Sequence, residues 1–141
     1  MDKKVLLTIN GLHQDGEAEH GSVETVVAAE YFKRNDSHYL IYEEMQEGFE
    51  QTSKTRIKCK EHMVELTRQG LLTTHMVFEQ GKEHITPYAT PYGQMLLGIN
   101  TKSVQLVEQK DSIRVLVEYS LTSEGELISD SHIEIIVREQ T

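Results

Sequence analysis

Tryptophan is absent, cysteine occurs once at Cys59, and proline twice, at Pro87 and Pro91. A lone thiol excludes an internal disulfide and fits a reducing compartment, so a cytoplasmic location is expected. With so little proline and no Gly/Ser-rich stretch, nothing marks a linker, and the 141 residues read as a single domain spanning 1–141. Long apolar runs are missing as well. The N-terminal Val5-Leu6-Leu7-Thr8-Ile9 run breaks at once into polar sequence, too short for a secretion signal. No window approaches the ~20 apolar residues of a membrane span, and no membrane partner is expected.

Positive charge is also scarce. The formal net charge is −9, with 14 basic residues against 23 acidic ones. The deficit is even along the chain: residues 1–70 hold 9 basic and 13 acidic residues, and 71–141 hold 5 and 10. A field of that sign repels phosphate backbones, so nucleic acid is not expected as a partner.

What is present is β-pattern. Val, Ile, Thr and Tyr recur in short runs punctuated by Gly, Asn, Asp and Ser. Strands are predicted at Lys3–His13, Val23–Lys33, His38–Met45, Lys54–Lys60, Met63–Arg68, Leu72–Glu79, Lys82–Tyr88, Gln94–Ile99, Ser103–Glu108, Ser112–Thr122 and Leu127–Arg138. Helix competes only over Ser22–Phe32, where Val, Thr, Tyr and Phe favour strand and Asn35-Asp36 supplies a hairpin turn. The fold class is therefore all-β, a sandwich or barrel.

Two hairpins can be registered. A two-residue Gln80-Gly81 loop sets Glu79 against Lys82 and Met76 against Ile85. Met76, Phe78 and Ile85 then face inward, with His75 and His84 as diagonal neighbours on the polar side. A three-residue Ser123-Glu124-Gly125 loop pairs Leu121 with Leu127, Val115 with Ile133 and Ile113 with Ile135, and places Arg114 opposite Glu134. The inner face then changes from aliphatic, at Ile113 and Ile135, to mixed, where Val117, Tyr119, Ser129 and Ser131 meet, so one end is expected to be wetter.

Reactive chemistry is sparse. Cys59 sits between Lys58 and Lys60, but along a strand it points away from both, to the side of Thr55 and Ile57, and reads as a buried small hydrophobe. Lys54, Arg56, Lys58 and Lys60 alternate as a basic ladder. It is either an anion-binding groove or, as we read it, a solvated outer face that discourages aggregation, because no aromatic residue interleaves in the run. Asp36-Ser37-His38 and Asp130-Ser131-His132 suggest hydrolytic triads, yet adjacent strand residues face opposite ways and no G-x-S-x-G elbow exists. The seven histidines lack metal-ligand spacing, and no glycine-rich loop offers a phosphate cradle. No metal, cofactor or catalytic residue is expected, nor an inward polar cluster of the kind an enzyme would need.

The densest motif is Pro87-Tyr88-Ala89-Thr90-Pro91-Tyr92-Gly93, in which Thr90-Pro91-Tyr92-Gly93 suits a type I turn. Together with Met76-Val77-Phe78-Glu79, Leu97-Gly98-Ile99-Asn100-Thr101 and Ser131-His132-Ile133-Glu134-Ile135, this corner resembles the YwiB-like family of uncharacterised bacterial proteins, a domain of unknown function. The resemblance covers essentially the whole chain. It implies a closed antiparallel up-and-down β-barrel of the calycin, lipocalin-like kind, and it implies no activity. A barrel of about 8–10 strands has an interior near the limit that side chains fill. The leading expectation is lumenal binding of a small apolar or amphipathic ligand. Tyr119, Ser129 and Ser131 would form the polar end, Tyr88 and Tyr92 the rim, and Met76 and Phe78 part of the wall, beside Ile57, Val115, Val117, Ile133 and Ile135. The alternative is a filled barrel acting as a protein-interaction module or homodimer.

Overall fold

A computed structural model describes residues 3–11, 24–45, 52–70, 73–90 and 93–140; the side chains at 45 and 88–90 lie outside that description. Ten strands follow in order: β1 Lys4–Asn10, β2 Glu24–Arg34, β3 Ser37–Met45, β4 Thr52–Lys60, β5 Met63–Gln69, β6 Thr74–Glu79, β7 Glu83–Thr90, β8 Gly93–Glu108, β9 Ser112–Ser123 and β10 Glu126–Glu139. They form one sheet, β6-β5-β4-β3-β2-β1-β10-β9-β8-β7, in which every hydrogen-bonded pair is antiparallel. The terminal strands β6 and β7 come into contact, so the sheet curls into a nearly closed barrel. The segment at which helix competed is strand β2.

Alternation builds the interior. β4 reads exposed–buried from Thr52 through Cys59, its even positions turned to solvent and Ser53, Thr55, Ile57 and Cys59 turned in. Val5, Leu7, Ile57, Phe78, Ile99, Val115 and Val117 have no accessible surface. A side chain without accessible surface borders no void that admits water, so the barrel is close-packed around these positions. The inward residues expected from sequence, Ile57, Met76, Phe78, Val115, Val117, Tyr119, Ile133 and Ile135, are all buried.

Several expectations need correction. Gln94–Ile99 and Ser103–Glu108 are one strand, β8, carrying a bulge between Thr101 and Ser103. The extra residue resets the alternation so that Thr101 and Val104 both point inward. The last hairpin turns on Glu124-Gly125 alone, both with positive φ, 52° and 81°, which suits strand twist. A bulge between Leu127 and Ser129 then shifts the register, placing Ile133 opposite Val117, Ile135 opposite Val115 and Val137 opposite Ile113. The expected pairs are displaced by two residues, which preserves the face of every side chain. Arg114 lies opposite Ile136 and reaches diagonally to Glu134, with Nε at 2.7 Å from Oε2.

The Gln80-Gly81 hairpin does not form a ladder. Its turn exists, with Lys82 N–H donating to Glu79 O at 3.0 Å and Lys82 Nζ 3.3 Å from Glu79 Oε2. However, β7 pairs with β8, and Ile85, opposite Gly98, is 63% exposed. Gly98 is needed there, since a Cβ would collide with the Thr122 hydroxyl and with Glu83. Two backbone bonds tie the 80–82 turn to β8, Gly81 N–H donating to Thr101 O at 2.9 Å and Thr101 N–H to Lys82 O at 3.2 Å, and side chains complete the closure of β6 against β7 and β8. The Thr86 hydroxyl donates to His75 O at 2.5 Å, His84 Nε2 meets Glu79 Oε1 at 2.8 Å, and Gln80 Oε1 accepts from Val104 N–H at 2.9 Å.

Phe78→Ala is expected to cost about 3–5 kcal/mol in urea unfolding. Ile85→Ala should cost less than about 0.5 kcal/mol. Comparable losses at the two sites would restore Ile85 to the interior.

Candidate functional site

The barrel ends differ in their connections. At one end the strands are joined by residues 35–36, 61–62, 80–82 and 109–111, all tight turns. At the other, β1–β2 and β3–β4 are joined by the longer segments 11–23 and 46–51. We call these the turn end and the loop end.

Near the loop end the inward alternation changes from aliphatic to polar. Tyr42, Thr55 and Arg68 lie opposite one another in a row across β3, β4 and β5, and Glu44 lies opposite Ser53 one step nearer the end. Tyr42, Ser53 and Thr55 are buried, while Glu44 and Arg68 are half-buried. Burial pushes the Tyr42 phenol pKa up, against the effect of its hydrogen bond with Thr55, and the Glu44 and Arg68 charges act on it in opposite directions. Ser53 Oγ–H donates to Glu44 O at 3.4 Å. The carboxylate oxygen Glu44 Oε1 is buried and has no hydrogen-bond partner among the described residues. A buried acceptor of this kind calls for a water, ion or ligand. Here the expectation that no polar cluster points inward is overturned. Ser53 and Thr55 are legible as the inner side of the basic ladder. Their alignment with Glu44 and Arg68 depends on two strand registers that the sequence does not display.

The sequence-predicted residues lie on the opposite wall. Tyr119 and Ser131 are directly opposed across β9 and β10, and Ser129 Oγ lies 3.4 Å from Ser131 Oγ. Burial raises the Tyr119 pKa, opposed by its hydrogen bond with Ser131. The Phe78 ring meets Tyr119 edge-on, with centroids 5.0 Å apart, and Met76 is buried beside them in the core. The Tyr88 backbone pairs with Met95 in β7, but its side chain lies outside the described residues, as does all of Tyr92. A hollow of about 430 Å³ is lined by Lys102, Glu118, Tyr119, Ser120, Asp130, Ser131 and His132. Asp130 accepts from the Ser120 hydroxyl at 2.5 Å, and its neighbour Ser131 belongs to the inward set, so this tripeptide makes no triad.

At the turn end His38, from the other tripeptide, is buried with Nδ1 2.7 Å from Tyr31 Oη and Nε2 3.6 Å from Glu108 Oε1. Desolvation lowers its pKa, Glu108 opposes that shift, and Lys33 reinforces it. Tyr31, whose pKa is raised by burial and by Glu108, keeps its proton, and its hydroxyl shares a hydrogen bond with the His38 imidazole. Cys59, opposite His38, is fully buried and its thiol is pushed up to about 12, which leaves it inert as a nucleophile. His75 and His84 bind Glu65 and Glu79, each at 2.8 Å. Among the described residues no group of three or more His, Cys, Asp or Glu could hold a metal ion. The basic ladder faces outward as expected, but an aromatic residue does interleave. Tyr39, opposite Lys58, lies 5.0 Å from the Arg56 guanidinium carbon and 5.7 Å from Lys58 Nζ, with Phe32 stacked on it at 4.7 Å.

The molecule is thus a single-sheet antiparallel barrel with an apolar middle and a polar, long-looped end. Residues 7–135 match the model of a family described as a domain of unknown function, DUF1934, and the chain belongs to that family. The crystal structure of the ywiB protein from Bacillus subtilis superposes with a TM-score of 0.77 at 21% identity, covering 99% of this chain and 93% of that one. At that identity the likeness bears on the fold alone, an antiparallel β-barrel. No curated protein matches the chain. Among the described residues no helix is long and apolar enough to cross a membrane.

The buried imidazole sets a pH dependence. With the folded pKa of His38 below its ordinary 6.5, the unfolded chain takes up the proton first. Its contribution is complete above about 6.5 and is lost as pH falls toward the folded value. His38→Gln should flatten the decline in Tm between about pH 7 and 5; an unchanged slope would assign that decline to other groups.

Proposed function

We propose that this protein binds a small amphipathic ligand at the loop end of its barrel. The reading is carried by one observation, the inward row of Tyr42, Thr55 and Arg68 with Glu44 beside it, one carboxylate oxygen buried without a partner among the described residues. Polar groups near a barrel mouth are costly unless something satisfies them. A ligand with an N–H or O–H donor for Glu44 would do so, while its apolar part rests on the packed middle. The solid packing around Phe78, Ile57 and Val117 argues against an apolar ligand filling the whole lumen. Tyr119, Ser129 and Ser131 would supply the facing wall, with Tyr88 and Tyr92 as its rim. The proposal rests on site chemistry, since this fold by itself hosts unrelated functions.

Native mass spectrometry of protein purified from its own host is expected to show a bound small molecule that is released on denaturation. Arg68→Ala should lose that adduct while keeping the β circular dichroism of the parent. A clean apoprotein mass in the parent would refute the reading.

The second reading, self-association, is favoured by the outer face of β7–β8, where Ile85 and Leu96 are 63% and 61% exposed beside a strand edge lacking a backbone ladder to β6. The same spectrum counts subunits, and a dimer dispersed by Ile85→Glu would establish it.

A further inference from the structure

A second hollow, of about 420 Å³, opens at the turn end, lined by Lys3, Tyr31, Phe32, Lys33, Glu108, Gln109 and Lys110. Its size falls within the range of small-ligand sites. Three ammonium groups from three separate segments border it against one carboxylate, in a chain whose net charge is −9. Lys33 leans on Glu108 at 3.7 Å, whereas Lys3 and Lys110 make no ion pair among the described residues. The surroundings are well anchored. Tyr31 N–H donates to Lys3 O at 2.7 Å, Gln109 N–H to Ser112 O at 2.8 Å, and Glu139 N–H to Asp111 O at 3.3 Å, which holds the turn carrying Lys110.

An aromatic surface adjoins these cations. Phe32 stacks on Tyr39 with ring planes 9° apart, and Tyr39 also lies beneath Arg56 and Lys58. Phe32, stacked on Tyr39, stays 40% exposed and borders the hollow. Glu108, anchored between Lys33 and the buried His38–Tyr31 pair, accepts hydrogen bonds only.

We infer that the turn-end hollow is a binding site for a small planar heterocycle carrying a phosphate, a purine mononucleotide being the type. The phosphate would sit among Lys3, Lys33 and Lys110, the ring would stack on Phe32, and ring N–H groups would donate to Glu108. This inference is independent of the loop-end ligand, because the two sites share no residue and lie at opposite ends of the barrel.

Isothermal titration with GMP, UMP and inorganic phosphate tests it. GMP is expected to bind, weakening as ionic strength rises. UMP, with fewer N–H donors, and inorganic phosphate, with no ring, should each bind at least about tenfold more weakly. Phe32→Leu, which removes the stacking ring, and Lys110→Gln, which removes a charge facing the phosphate, are both at surface positions and should each weaken GMP about tenfold. Arg68→Ala should leave GMP binding intact, separating this site from the loop end. No GMP binding, equal binding of inorganic phosphate, or indifference to both Phe32→Leu and Lys110→Gln would overturn the inference. Tighter binding of a single-stranded oligonucleotide than of GMP would overturn it in favour of a nucleic-acid surface.

Discussion

A single sheet with one apolar face and no second layer has to bury that face against itself. Every strand here carries alternate inward residues, and the described chain supplies no helix to cover them. Curling until β6 meets β7 and β8 is what removes Phe78, Ile57, Val115 and their neighbours from water. Full burial of such a side chain is worth roughly 1.5–3 kcal/mol, so the strands on opposite walls stabilise one another through the packed middle. The closing seam can then rely on Thr86, His84, Gln80 and Glu79 side chains in place of a backbone ladder. The barrel is held shut by its filling more than by its last hydrogen bonds.

That filling also determines where chemistry can reside. Close-packed aliphatic layers leave no room in the middle, and polar side chains collect where the alternation runs out. At the loop end they are Tyr42, Glu44, Ser53, Thr55 and Arg68 on one wall and Tyr119, Ser129 and Ser131 on the other. At the turn end they are Tyr31, His38 and Glu108 beneath three lysines. The reactive-looking groups of the sequence are neutralised by the same geometry. Cys59 is sealed in the core, and the tripeptide serines are separated from their histidines by the pleat.

Several features were legible before any coordinates. Strand periodicity located all ten strands, divided β8 in two at its bulge, and assigned the inward face of the final hairpin. The shared inward side of Tyr119, Ser129 and Ser131 was legible because period-two alternation survives a register shift of two. Ile85 was misplaced because the Gln80-Gly81 turn looks like a hairpin loop. In a curled sheet the strands flanking it are the two ends of the sheet, and β7 pairs with β8. The aromatic neighbour of the ladder was missed for a similar reason. Tyr39 stands opposite Lys58 through strand pairing, across 18 intervening residues.

The sequence by itself determined an all-β chain, the inward face of most of its strands, and the burial of Cys59, because these follow from local alternation and composition. Only the tertiary structure decided which strand lies beside which, and with it the Tyr42–Thr55–Arg68 row, the Phe32–Tyr39–Arg56 stack and the lysine-ringed hollow. Each of these joins residues from different strands whose relative registers are set by bulges, turn lengths and the curvature of the whole sheet. No local stretch of the chain records those quantities.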